Sequence, residues 1–169
     1  DLHRGGRSTT LLAWSSGFRL VYKSRSLAID QHFQELLSWL NERGYQPTFP
    51  TFRVLDKGSH GWTEFVQADS CTSEEEVERF YQRQGGYLAL LYALEATDFP
   101  IENMVAAGEY PVLIDLEALL HPREFKHSVT KQGYSSLEAL DHSILRVRLL
   151  PQRIRANDQA EGANSTGLG

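Results

Sequence analysis

One helical segment constrains this chain more than any other feature. Ser73 and Glu76 form the S-x-x-E pattern of a capping box, which satisfies backbone N–H groups at a helix start. The periodic stretch that follows can reach Leu94, with Val77, Phe80, Tyr81, Leu88, Leu91 and Tyr92 expected on one face. Gly85-Gly86 lies inside it, and each glycine there costs roughly 1 kcal/mol relative to alanine. The pair implies a close backbone approach or a break, with a local kink as the plain alternative.

Strand-like and turn-like segments flank that helix on both sides. Residues 10–14 and 18–22 surround Ser15-Ser16-Gly17, a short glycine-containing turn, and predict a hairpin. Lys23 and Arg25 follow and are expected to share one strand face. Asp30 is expected to cap a helix running to about Arg43, whose Phe33, Leu36, Leu37 and Leu40 fall at i, i+3, i+4 and i+7. Gly44 suits the position just past its end. Beyond Pro47, residues 52–55 and 62–66 predict two strands around Lys57-Gly58-Ser59-His60. After the long helix, a polar loop over residues 97–103 precedes apolar runs at 104–107 and 111–114. These predict a second hairpin, turning at Gly108-Glu109 and ending on Asp115-Leu116-Glu117. A weaker helix is expected over 136–142. From Gln152 periodicity is lost, so 152–169 is expected to be a loop or disordered tail after a domain over 1–151.

Composition excludes several classes. The chain is 41% hydrophobic and 23% charged, enough for a core and too mixed for a disordered chain. A net charge of −5 argues against nucleic acid as partner. No apolar run approaches the ~20 residues of a transmembrane segment. Cys71 is the single cysteine, so no intrachain disulfide forms and a reducing, cytoplasmic setting is expected. The six histidines are scattered without metal-ligand spacing, and neither a P-loop nor a G-x-S-x-G elbow is present. The chain opens without Met in a glycine-rich stretch and reads as a piece of something longer.

The element order carries chemistry. It runs hairpin, basic residue, helix, two strands, long helix, polar loop, hairpin, acidic residue. Phosphoryl transfer from ATP needs a cation on the phosphates, oxygen ligands for a metal, and a group that positions the acceptor hydroxyl. Kinase-like folds place the cation on an early strand and the other groups on the loop and hairpin after the long helix. Lys23 occupies the cation position, and Lys23 and Arg25 are the candidate cofactor-binding residues; two solvated surface residues are the alternative. Asn103 and Asp115, 12 residues apart, can share a divalent ion, with Mg²⁺ favoured by oxygen ligands. Asp98 can orient or deprotonate the attacking hydroxyl; turn chemistry is its plain reading. Glu117 takes a second metal role or a salt bridge. Glu35 can pair with Lys23, with Glu42 as competitor.

These residues sit in segments that resemble the dehydratase domain of class II lanthionine synthetases, the LanM family. The resemblance is carried by Asp1-Leu2-His3-Arg4-Gly5-Gly6-Arg7, Val21-Tyr22-Lys23-Ser24-Arg25-Ser26 and Gly61-Trp62-Thr63-Glu64-Phe65-Val66. Ala96-Thr97-Asp98-Phe99-Pro100-Ile101-Glu102-Asn103 and Gly108-Glu109-Tyr110-Pro111-Val112-Leu113-Ile114-Asp115-Leu116-Glu117 extend it, as do Ser143-Ile144-Leu145-Arg146 and Leu149-Leu150-Pro151.

The resemblance implies an α+β, kinase-like (lipid-kinase-like) two-lobe core, incomplete here. It implies ATP and Mg²⁺ as cofactors and a ribosomally made precursor peptide as partner. Ser and Thr of that peptide are phosphorylated, and phosphate is then eliminated. A C-terminal zinc cyclase domain of the same parent chain adds Cys thiols. Carried over by position, Lys23 is the ATP-phosphate lysine, Asp98 the catalytic-loop aspartate, and Asn103 and Asp115 metal ligands. Glu117 occupies the second acidic position, while Asp1 and His3 fall in a family motif of looser role. One departure matters: the family loop reads D-x-H-x-E-N, and Pro100 replaces its histidine. Proline has no titratable group and no N–H. The alternative function is therefore an inactive, pseudokinase-like module that binds peptide or nucleotide.

Overall fold

A computed structural model describes residues 9–97, 99–117, 119–120 and 142–150. The expected helix over 136–142 and the tail 152–169 lie outside the described residues, apart from His142, which sits in a turn. The chain divides into two compact units, Asp1–Arg83 with Val105–Val112, and Gln84–Met104 with Leu113–Gly169.

In the first unit, β1 (Thr9–Ala13) and β2 (Arg19–Lys23) form the expected hairpin, in register from Thr9↔Lys23 to Ala13↔Arg19. Gly17 supplies φ +85 in its turn, a left-handed conformation that glycine adopts without steric cost. With β3 (Val54–Asp56) and β4 (Gly61–Glu64) they make a four-stranded antiparallel sheet in the order β1-β2-β4-β3. β3 starts later than expected because side chains take two backbone donors. The Phe52 N–H donates to Gln34 Oε1 at 3.1 Å and the Arg53 N–H to Glu64 Oε2 at 2.9 Å. Gly61 permits close approach across this sheet. A Cβ there would lie 2.6 Å from both Leu27 Cδ1 and the Leu55 carbonyl, and Leu27 is fully buried.

Helix α1 (Ala28–Glu42) buries Phe33 and Leu37, as its periodicity requires. Its start differs from expectation. Leu27 is the cap residue, and Asp56 of β3 accepts from the Leu27 N–H at 2.6 Å. Asp30 instead lies in the first turn, almost wholly buried against Arg25. The helix ends in a Schellman arrangement, with Tyr45 N–H on the Leu40 carbonyl, Gly44 N–H on the Asn41 carbonyl and Gly44 at φ +89. Two polar residues on α1 hold the chain after Pro47. Asn41 brackets Phe49, accepting from its N–H at 2.8 Å and donating to its carbonyl at 2.9 Å. Gln34 accepts from the Phe52 N–H.

Helix α2 (Glu74–Ala93) runs unbroken through Gly85-Gly86, so the expected break is absent. No close approach explains Gly85, since a Cβ there would meet nothing within 4 Å. The capping box is half formed. The Glu76 N–H donates to Ser73 Oγ at 3.3 Å, but the Glu76 carboxylate turns to the Thr72 N–H and hydroxyl. The buried face also differs from expectation. Val77, Tyr81 and Tyr92 are exposed; Leu91 is buried as expected, but together with Arg83, Gln84 and Tyr87. A stripe that contains a buried arginine does not read as apolar; the partners that make it tolerable come from distant residues.

β5 (Met104–Ala107) and β6 (Tyr110–Leu113) form the second expected hairpin. Gly108 takes φ +60 at the first turn position, where a two-residue hairpin favours glycine. In the second unit, Tyr87, Leu91, Ala96, Phe99, Leu113, Leu116, Leu119, Val147 and Leu149 are buried. The Phe99 N–H donates to the Val147 carbonyl at 3.0 Å, tying the loop after α2 to the 3-10 helix Ile144–Val147, which Ser143 caps. Among the described residues no helix is long and apolar enough to cross a membrane.

Candidate functional site

The loop after α2 closes into a 3-10 helix, Ile101–Asn103, in which the Asn103 N–H donates to the Pro100 carbonyl at 3.0 Å. The Asn103 carbonyl then accepts from the Ile114 N–H at 3.0 Å. This bond sits at the open end of the β5–β6 hairpin, immediately before β5 and immediately after β6. It brings Asn103 beside Ile114-Asp115. Both Asn103 and Asp115 are half-buried, and the Asn103 side-chain amide has no hydrogen-bond partner among the described residues. Leu116 is fully buried next to Asp115 and anchors the segment, while Glu117 beyond it is exposed. The strand ends at Leu113, so Asp115 and Glu117 do not share a strand face.

An amide oxygen and a carboxylate are hard donors of the kind Mg²⁺ takes, usually with one or two protein carboxylates, substrate phosphates and waters. The donor set thus fits the ion. Among the described residues no group of three or more His, Cys, Asp or Glu side chains converges as a metal site. Asp98, the expected catalytic residue, lies outside the described residues, as do Asp1 and His3.

In the first unit, Lys23 ends β2 and is only 7% exposed. An ammonium this deep is held by interactions rather than by bulk water. Arg25 lies beyond the strand end, so the two do not share a strand face. Its guanidinium is bidentate on Asp30, at 2.7 and 3.2 Å, and also donates to the Ser26 carbonyl at 2.9 Å. That fork fixes the start of α1 to the end of β2. Glu35 does not reach Lys23. Its carboxylate faces His32 Nδ1 at 2.8 Å and Gln31 Nε2 at 3.2 Å on the exposed side of α1, and these hydrogen bonds lower its pKa. Glu42 is likewise exposed.

Sequence reasoning missed a second charged cluster. Glu109, in the β5–β6 turn, receives Arg79 Nε at 2.5 Å and Arg83 Nη1 at 2.7 Å. Hydrogen bonds from Arg79 and then Arg83 bring its pKa down to about 2. Arg83 also donates to the Thr48 and Glu109 carbonyls and lies over the Tyr110 ring at 4.4 Å. Two arginines one turn apart on α2 were the available signal; nothing in sequence spacing named Glu109 as their partner.

The chain belongs to the family described as a domain of unknown function, DUF4135, whose profile matches residues 1–169. It is also similar to the Lacticin 481/lactococcin biosynthesis protein LcnDR2 of Lactococcus lactis subsp. lactis, 27% identical over 177 residues. That match covers 99% of this chain and 19% of the relative, so the chain spans about one fifth of that protein's length. The two findings bear out the resemblance drawn from the sequence motifs.

Proposed function

We propose that this chain is the nucleotide-site portion of a lanthipeptide-modifying enzyme that phosphorylates Ser and Thr of a precursor peptide with ATP. The observation that carries the reading is the Asn103–Ile114 hydrogen bond, 3.0 Å, which sets the half-buried Asn103 amide beside Asp115. The similarity to the Lacticin 481/lactococcin biosynthesis protein supports a peptide as the substrate class. An incomplete kinase-like, two-lobe core and a cytoplasmic setting belong to the same proposal.

In this reading Lys23 binds the ATP phosphates, a role a positive group shielded from water performs strongly. Asn103 and Asp115 hold Mg²⁺, with Glu117 as a further carboxylate. Bound there, the ion would neutralise charge on the transferring phosphoryl group. Asp98 positions the peptide hydroxyl and accepts its proton. The hydroxyl oxygen bonds to the γ-phosphorus as the bond to the ADP oxygen breaks. Loss of the α-proton and of phosphate would then complete dehydration. Arg25 acts indirectly: by holding Asp30 it fixes the segment that follows Lys23.

The test is to incubate the full-length parent with precursor peptide, ATP and Mg²⁺ and to follow peptide mass. Phosphate gain or water loss is expected, and Asp115→Asn should abolish both. A wild-type parent that produces neither refutes the reading. Pro100 favours the second reading, an inactive binding module, because the family histidine is missing at that position. Pro100→His should then raise phosphorylation; equal activity of both forms refutes the loss as the cause.

A further inference from the structure

A groove of about 460 Å³ lies within the first unit, between the outer side of α1 and the chain entering β3. Gln31, Glu35, Trp39 and Glu42 line its helical wall, spaced three or four residues apart. Residues 51–54 line the opposite wall.

Within that wall Val54 opens the outer strand of a sheet, while the Phe52 N–H before it is already held by Gln34 of α1. β3 is the outer strand of the order β1-β2-β4-β3. The Glu64 N–H donates to the Arg53 carbonyl at 3.1 Å and the Lys57 N–H to the His60 carbonyl at 2.9 Å. Antiparallel bonding alternates along a strand, so Val54, paired with Thr63, is a non-hydrogen-bonded position. Its N–H and C=O point away from β4, toward the open edge. Such an edge is a template for one more strand.

The groove also has a sign. Arg53 is taken by Glu64 at 2.5 Å, which leaves Glu35 and Glu42 as the lining carboxylates, with Arg43 beside Trp39 offsetting one of them. His32, at 2.8 Å from Glu35, offsets part of this only when protonated. Between the two glutamates Trp39 is 48% exposed, with Arg43 stacked on its ring at 4.6 Å. Backbone groups that can continue a ladder, an exposed indole and flanking carboxylates together describe one kind of occupant.

We propose that this groove docks an extended, positively charged peptide, which adds to the free edge of β3 and sets basic side chains against Glu35 and Glu42. Main-chain bonds to Val54 supply the affinity common to strand addition, and the glutamates and Trp39 supply selectivity. This inference is independent of the phosphoryl-transfer reading, because every residue in it belongs to the first unit and none is placed in the catalytic machinery.

The experiment uses the full-length parent and two short fluorescein-labelled peptides, one alternating Lys with Val and the other Glu with Val. Fluorescence anisotropy should show the Lys peptide binding and the Glu peptide failing. The double variant Glu35→Lys with Glu42→Lys should lose about tenfold in affinity for the Lys peptide, as removal of two exposed charge pairs predicts, and gain affinity for the Glu peptide. Val54→Pro should abolish binding while leaving the circular dichroism spectrum intact, because proline is tolerated where a strand N–H faces outward. Equal binding of both peptides, or binding indifferent to the charge swap and to Val54→Pro, overturns the proposal. So does a parent that binds neither peptide, and so does a self-association abolished by Val54→Pro without any peptide binding.

Discussion

Glu109→Gln isolates the buried charge cluster at the β5–β6 turn. The wild-type carboxyl falls from 4.5 to about 2 through its hydrogen bonds to Arg79 and Arg83. At 1.36 kcal/mol per pKa unit that shift is worth at most about 3 kcal/mol. The Glu109 side chain is 17% exposed and Arg79 is 40% exposed, so screening trims the share of Arg79. Arg83 is only 4% exposed, and removal of its counter-charge leaves a buried cation, a change that typically costs 3–5 kcal/mol. Glutamine keeps an acceptor for one arginine. The expected destabilisation at neutral pH is therefore about 2–3 kcal/mol, read from urea unfolding followed by tryptophan fluorescence.

The sign with pH is fixed. A carboxyl whose folded pKa is depressed contributes stability above its unfolded pKa and loses it as pH falls through the folded value. Wild-type protein should lose this contribution between about pH 4.5 and pH 2, and the variant should lack that part of the slope. Arg83→Ala should cost more than Arg79→Ala. A Glu109→Gln variant within about 0.5 kcal/mol of wild type, with an unchanged acid slope, refutes the assignment.

Other substitutions test the backbone. Gly61→Ala should destabilise by about 1–3 kcal/mol, seen as a lower urea midpoint, because the Leu55 carbonyl 2.6 Å from the new Cβ cannot turn aside. Gly85→Ala should stabilise by about 1 kcal/mol in the same assay, since the site is open and inside a helix. Glu95 occupies the left-handed end of α2 at φ +58, so Glu95→Gly should raise the thermal midpoint through a gain of about 1 kcal/mol. Asn41→Ala should cost about 1–3 kcal/mol and speed amide exchange at Phe49, whose N–H loses its acceptor.

Local signals were legible wherever the chain satisfies itself nearby. Both hairpins follow from alternation about Gly17 and Gly108, and α1 ends at Gly44 because the left-handed position there suits glycine. Signals failed where a partner lies far along the chain. Asp30 looked like a cap, yet Asp56 serves that end of the helix and frees Asp30 to hold Arg25. The apolar face assigned to α2 was misplaced because Arg83 is buried by groups at Thr48, Glu109 and Tyr110. At the candidate site, spacing placed Asn103 and Asp115 at the two ends of the hairpin, and the bond from Ile114 joins those ends. Spacing also nominated Glu35 as the partner of Lys23, but a helix has many exposed positions and only burial tells them apart.

The strand order β1-β2-β4-β3 carries a kinetic consequence. β1–β2 and β3–β4 each close across a handful of residues, within microseconds for hairpins in general. The seam between them, from Leu20↔Glu64 to Lys23↔Gly61, closes a loop of about 40 residues that contains all of α1. Its additional closure entropy is about 2 kcal/mol over a hairpin turn. The seam also traps Leu27 against Gly61. Zipping of β2 to β4 is thus the slow event for this sheet. Substitutions along that seam should retard folding, as should substitutions in the Gly17 turn, because the hairpin it closes is already formed when the seam zips.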